Sequence, residues 1–263
     1  MTTYRTTSGL AKKLAFPGFL IGMLALTACA GGSGGTTAAQ PAQDEASVRA
    51  AAPSGSSHSG HEVLVQAASQ MSEARSLSLR YSSVKKAVEE EIDVRINSSG
   101  DCTGDYDKGG SGFSLIKSGE RILLKPNDKY WITVGGDTNG EVRAALDGRW
   151  LVMDGNDKQH KDVAALCDID KFMKLITDDS LKAVTGDVVT IDGQRAIPVR
   201  EEKGQEVTTG YVAAEGDPRI IRIESSDNEE KTTISFSDFN APVNVEEPPS
   251  SETVTPDELA KRQ

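Results

Sequence analysis

Six side chains in this sequence could do nucleophilic, redox or metal chemistry. They are the thiols of Cys29, Cys102 and Cys167 and the imidazoles of His58, His61 and His160. A zinc site needs about four N, S or O ligands at short, regular spacing. His58 and His61 sit close together in "SHSGHE", but no cysteine or carboxylate cluster completes a ligand set. They read as two solvated histidines ahead of a helix. No C-x-x-C redox pair is present. Nor is there a G-x-S-x-G elbow, an H-E-x-x-H zinc motif, or a Walker or dinucleotide glycine pattern. "DYDKGGSG" opens like a calcium loop with Asp105 and Asp107, but Gly109 and Ile116 stand where oxygen ligands are needed. "DGNDKQHKD" and "DTNGE" read as Asx-rich turns. No catalytic residue, metal ligand or cofactor is therefore assigned, and the chain reads as a non-enzyme.

An odd thiol count in an exported protein raises the question of which cysteine is left over. Arg5, Lys12 and Lys13 make a positive start, and Leu14 to Thr27 is an apolar run of 14 residues. That is too short for a bilayer span of about 20 helical residues and has the shape of a secretory signal. The run ends in Leu26-Thr27-Ala28-Cys29. This resembles the lipobox of bacterial lipoproteins. The resemblance implies a diacylglyceryl group on Cys29, cleavage before it, and acylation of the new amine with a chain such as palmitate. Together these make a stable membrane anchor. The alternative is an ordinary secretory signal with a chance cysteine at its cleavage site.

Residues 1–28 are then a signal peptide, and 29–60 are the lipidated cysteine and a disordered linker rich in Gly, Ser, Ala, Thr and Pro. A chain of that length spans roughly 30 Å end to end. The net charge is −11, and removing the basic signal leaves −14. That balance argues against nucleic acid and against polybasic docking on lipid headgroups.

The elements come next. "HEVLVQAASQMSEAR" reads as an amphipathic helix over 61–75. Leu77, Leu79 and Tyr81 alternate with polar neighbours, as do Ile92, Val94 and Ile96, so both stretches read as half-buried strands. Phe113 to Ile116 and Arg121 to Lys125 read as a hairpin over Ser118-Gly119. The middle is helical in pieces, with one helix starting at Asp168 or Asp170 and burying Phe172, Leu175 and Ile176. Strands return around an Asp192-Gly193 turn. Residues 249–263 read as a flexible tail with a short helix capped at Thr255. The order suits an α+β domain over 61–248, an antiparallel sheet with helices on one face.

With Cys29 lipidated, Cys102 and Cys167 remain as a pair, and outside the cytoplasm a disulfide is expected. It would close a loop of about 66 residues, contributing up to about 4 kcal/mol.

Several stretches together resemble the LppX/LprG type of actinobacterial lipoprotein, which shares the half-barrel fold of the carrier LolA. They are the lipobox and linker, "RILLKPNDKYWI", "LDGRWLVM", "IDGQRAIPVR" and "ISFSDFNAPVNVEEPP". The likeness covers roughly residues 60–248. It implies a curved antiparallel sheet of about eleven strands, a half-barrel with helices packed on its concave face. It also implies a cavity for acyl chains and a carrier of lipids, lipoproteins or glycolipids. The inward positions would include Leu79, Val94, Phe113, Leu115, Ile122 and Leu124. The same alternation would build a filled core without a cavity. The expected partners are the membrane, through the lipid anchor on the extracytoplasmic face, and a lipid ligand. The alternative is a surface module that binds a protein or wall polymer.

Overall fold

The structure is a computed structural model and describes residues 59–158, 160–170, 173 and 182–261. It opens with helix α1, Gly60–Ser72. Ser59 caps it reciprocally: its hydroxyl accepts the Glu62 N–H, and the Glu62 carboxylate accepts the Ser59 N–H. Leu64, Ala67, Ala68 and Met71 form the buried stripe. Gly60 lets α1 begin hard against the chain, since a Cβ there would lie 2.5 Å from the Ala183 carbonyl oxygen.

Among the described residues, thirteen strands form one curved, unclosed sheet. Six run as a meander: β1 (Ser76–Lys85), β2 (Val88–Asn97), β3 (Cys102–Lys108), β4 (Ser111–Ser118), β5 (Arg121–Pro126) and β6 (Trp150–Asp154). A second group holds the short β7 (Val184–Thr185) and β8 (Val189–Ile191), then β9 (Gln194–Lys203), β10 (Glu206–Ala213), β11 (Ile220–Ser226) and β12 (Glu230–Ser237). The two groups meet where β1 lies antiparallel to β12.

β13 (Thr253–Val254) differs from the rest, lying parallel to β6 at one edge. The sheet is therefore mixed rather than wholly antiparallel, and it has more strands than the eleven implied by resemblance. The stretch expected to be a flexible tail is ordered structure: a 3-10 turn at Ser250–Glu252, then β13, then helix α5 (Pro256–Ala260). Val254 and Leu259 are each only 1% exposed. Two apolar side chains in a polar stretch suffice to dock it, and the Thr255–Glu258 capping box fixes the helix start.

The middle of the chain supplies α2 (Asp128–Thr133), α3 (Glu141–Leu146) and α4 (Lys161–Ala165). Most of the helix expected from Asp168 or Asp170, including Phe172, Leu175 and Ile176, lies outside the described residues. Met173 is helical and buried. α1 packs on β7 and β9 to β11, α2 on β4, and α5 on α3 and β6. A Cβ on Gly210 of β10 would lie 3.2 Å from Leu64 Cδ2, so the missing side chain seats α1 closely on the sheet. Between β12 and β13 the chain is pinned at two places. Asn240 N–H donates to the Ser76 carbonyl at 2.9 Å, and Arg121 Nε donates to Glu247 at 3.1 Å.

Candidate functional site

In a strand, residues two apart share a face, and directly paired residues of neighbouring strands share it too. The register therefore traces which side chains line the concave face. Leu79 faces Val94 on one side and Phe236 on the other. Val94 faces Gly104, and Gly104 faces Leu115. Leu115 faces Leu124, which faces Leu151, and Leu151 faces Val254. One apolar row thus crosses eight strands.

Phe113 and Ile122 lie on the same face, one row to either side, by their two-residue offsets from Leu115 and Leu124. The structure brings all six expected cavity residues, Leu79, Val94, Phe113, Leu115, Ile122 and Leu124, to one face and buries each of them. Gly210 faces Ile223, Ile223 faces Ile234, and Ile234 faces Tyr81, two residues from Leu79. The Leu64 contact therefore puts α1 on this same concave face.

Residues not singled out in the sequence complete the face. Tyr106 stacks on Phe113 with centroids 5.1 Å apart, and Tyr130 of α2 meets Phe113 edge-on at 5.5 Å. Burial pushes the Tyr106 phenol well above its ordinary pKa, and the nearby Glu90 carboxylate pushes the same way; burial does the same to Tyr130. Both phenols stay protonated. "DCTGDYDKGG" reads in sequence as a possible short strand and turn, and the structure forms β3 there, but its many Gly and Asp residues gave no alternation to mark Tyr106 as inward-facing. Leu151 was visible within the apolar stretch Trp150 to Met153.

Asp137 positions the helices above this face. It is 2% exposed. Its Oδ1 accepts the Val142 N–H at 3.1 Å, and its Oδ2 accepts both the Arg143 N–H at 3.0 Å and the Arg143 Nε–H at 3.1 Å. It does the capping that Gly140, the residue before α3, has no side chain to do.

Cys102 and Cys167 are joined by a disulfide with Cα atoms 5.6 Å apart. It ties the start of β3 to the chain just after α4. Cys29 lies outside the described residues. Among the described residues no group of His, Cys, Asp and Glu could hold a metal ion. Asp105 accepts from the Ser114 hydroxyl at 2.6 Å and Asp107 from the Gly110 N–H at 2.7 Å, so both carboxylates serve strand and turn.

The opposite face of the sheet is charged over β2 and β3, while on β4 and β5 it carries the buried pair Ile116 and Leu123. Glu91 stands across from Asp107 and Asp93 across from Asp105. Arg80 reaches Asp93 at 2.6 Å, in solvent. Among the described residues no helix is long and apolar enough to cross a membrane.

No protein-family model and no curated protein matches the sequence. Similarity to solved structures is clear. LprF from Mycobacterium bovis has a TM-score of 0.51 at 10% identity, over 72% of this chain and 96% of LprF. The Mycobacterium tuberculosis lipoprotein LppX has 0.48 at 12% identity, over 71% of this chain and 98% of LppX. The fold is that of the LolA-like half-barrels, a curved open sheet holding helices on its inner side. Within that class the chain resembles the LppX/LprG lipoproteins.

Proposed function

We propose that this protein is a lipid-anchored, extracytoplasmic lipoprotein that binds and carries a hydrophobic ligand, a lipid or acyl chain, without catalysing a reaction. The carrying observation is the unbroken apolar row from Phe236 to Val254 on one face of a curved sheet. A half-barrel lined this way, with helices on the same side, has the form that shelters hydrocarbon. Likeness to LprF and to the lipoprotein LppX supports the reading, as does the Leu26–Cys29 lipobox. The domain limits proposed are a signal at 1–28, a lipidated cysteine and linker at 29–60, and a binding domain from 61 onward.

The test is native mass spectrometry of the non-acylated mature chain, residues 30–263, followed by titration with a fluorescent fatty acid. A co-purifying lipid or saturable uptake is expected. A protein that emerges empty and takes up nothing would refute the carrier. A second reading rests on the charged outer face, where Glu91/Asp107 and Asp93/Asp105 oppose like charges across strands at a cost in stability. A surface that tolerates such repulsion suits a basic protein or wall-polymer partner. Stoichiometric capture of such a partner, lost on neutralising those four residues, would favour that reading.

A further inference from the structure

The concave face changes chemistry along its strands, and the register shows the change row by row. At the end beside the β2–β3 turn, Leu77 faces Ile96, Ile96 faces Cys102, and Cys102 faces Lys117, whose Nζ turns to the Gly100 carbonyl of that turn at 2.7 Å. Two residues along comes the row of Leu79, Val94, Gly104 and Leu115. Two further along, Tyr81 faces Ile92, Ile92 faces Tyr106, and Tyr106 faces Phe113. The last row, beside the β1–β2 and β3–β4 turns, is polar throughout. There Ser83 faces Glu90, Glu90 faces Lys108, and Lys108 faces Ser111. Three two-residue steps cover about 20 Å. Over β1 to β3 the face is thus graded from apolar side chains, through aromatic rings with hydroxyls, to a polar rim.

The rim is electrically balanced. Lys108 Nζ lies 2.8 Å from Glu90, and Lys85 Nζ lies 2.9 Å from Glu230. The Tyr106 hydroxyl donates to Glu90 at 3.1 Å and the Ser83 hydroxyl to Glu230 at 2.7 Å. The Ser111 and Thr133 hydroxyls meet at 2.8 Å, which sets α2 above the rim. That helix also carries a donor in need of an acceptor. Trp131 is 3% exposed, and its Nε1–H meets no partner among the described residues.

We propose that the concave face binds an amphiphile in one direction, with its hydrocarbon toward Cys102 and an uncharged, hydroxyl-bearing head at the Ser83–Glu90–Lys108–Ser111 rim. This rests on the lipid-binding reading above. A hydroxylated head can donate to the carboxylates of Glu90 and Glu230 and accept from Lys108. A phosphate head would meet lysines already engaged and be repelled by their carboxylates.

The experiment uses the non-acylated mature chain and a monoacylglycerol carrying a diazirine, placed in one probe at the acyl end and in another in the head. After irradiation, peptides are mapped by mass spectrometry. The acyl-end probe should label the stretch around Ile96 and Cys102, and the head probe the stretches holding Ser83 and Lys108 to Ser111. Uptake with the pattern reversed or evenly spread overturns the orientation while leaving lipid binding standing. Absence of uptake for both probes overturns lipid binding and the orientation with it. Combining Glu90→Gln with Tyr106→Phe should weaken monoacylglycerol binding about tenfold, the effect of a lost charge-assisted hydrogen bond, and leave a long-chain alkane unaffected. An equal loss for both ligands refutes the head site. Tighter binding of a lysophosphatidate than of the monoacylglycerol refutes the uncharged head.

Discussion

Asp137 concentrates more structural demand than any other single carboxylate described above. Burial alone would raise its pKa. The backbone N–H groups of Arg143 and Val142 and the Arg143 guanidinium outweigh that and hold it below the usual carboxylate value. Asp137→Ala removes the acceptor for two backbone amides and strands a partly buried guanidinium. A loss of about 3 kcal/mol is expected, read from urea unfolding at neutral pH. The pH dependence has a definite sign. Because the folded pKa is depressed, the contribution of ionisation is fully present above the unfolded value of roughly 3.9 and fades as pH falls through the lower, folded value. The gap in urea midpoint between wild type and Asp137→Asn should therefore narrow below about pH 4 and stay constant from pH 5 to 7. A gap that widens on acidification would contradict this. Nothing in "GGDTNGEVRAAL" separated this aspartate from the Asx-rich turns around it. Its role depends on a three-dimensional return of the chain over α3.

Turn chemistry decided which elements could be read from the sequence. Asp192-Gly193 takes positive φ at both positions, 51° and 79°, and its residue types announce the hairpin between β8 and β9. The β1–β2 hairpin has the same two-residue geometry at Lys86 (φ 50°) and Ala87 (φ 63°), with no Gly or Asn to signal it. Its strands were legible from alternation, but their direct connection was not. The same mismatch gives a prediction. A non-glycine residue in the left-handed region costs about 1 kcal/mol, so Ala87→Gly should raise stability by about 0.5–1 kcal/mol, seen as a higher thermal midpoint. A lower midpoint would show that Ala87 packs in a way that offsets its backbone strain. Alternation also located all six concave-face residues without distinguishing wall from core, because period two reports a face and says nothing of what lies opposite. β13 escaped notice because two residues are too few for a period.

For the whole molecule, the disulfide bears on how the domain is held together, and the proposed lipobox on where it is held. The Cys102–Cys167 bond spans 65 residues of sequence and couples the sheet to the helical middle. Replacing both cysteines by serine should lower stability by up to about 4 kcal/mol, measured by denaturant unfolding under oxidising conditions. A double variant matching the wild type would mean that packing alone orders that junction. Cys29→Ala should release the mature protein from the membrane fraction or leave its precursor uncut. Persistence at the membrane with cleavage at the same bond would point to an ordinary signal and some other tether.

The seam between β1 and β12 bears on how the chain reaches this state. The central pair of the sheet joins residues 76–85 to residues 230–237, and the edge beyond β6 waits for residues 253–254. Each meander can form from neighbours as the chain emerges, but the seam links segments that emerge far apart in time. Contacts so distant in sequence slow folding. Until β12 has emerged and docked, β1 presents an unpaired edge to whatever else surrounds the chain.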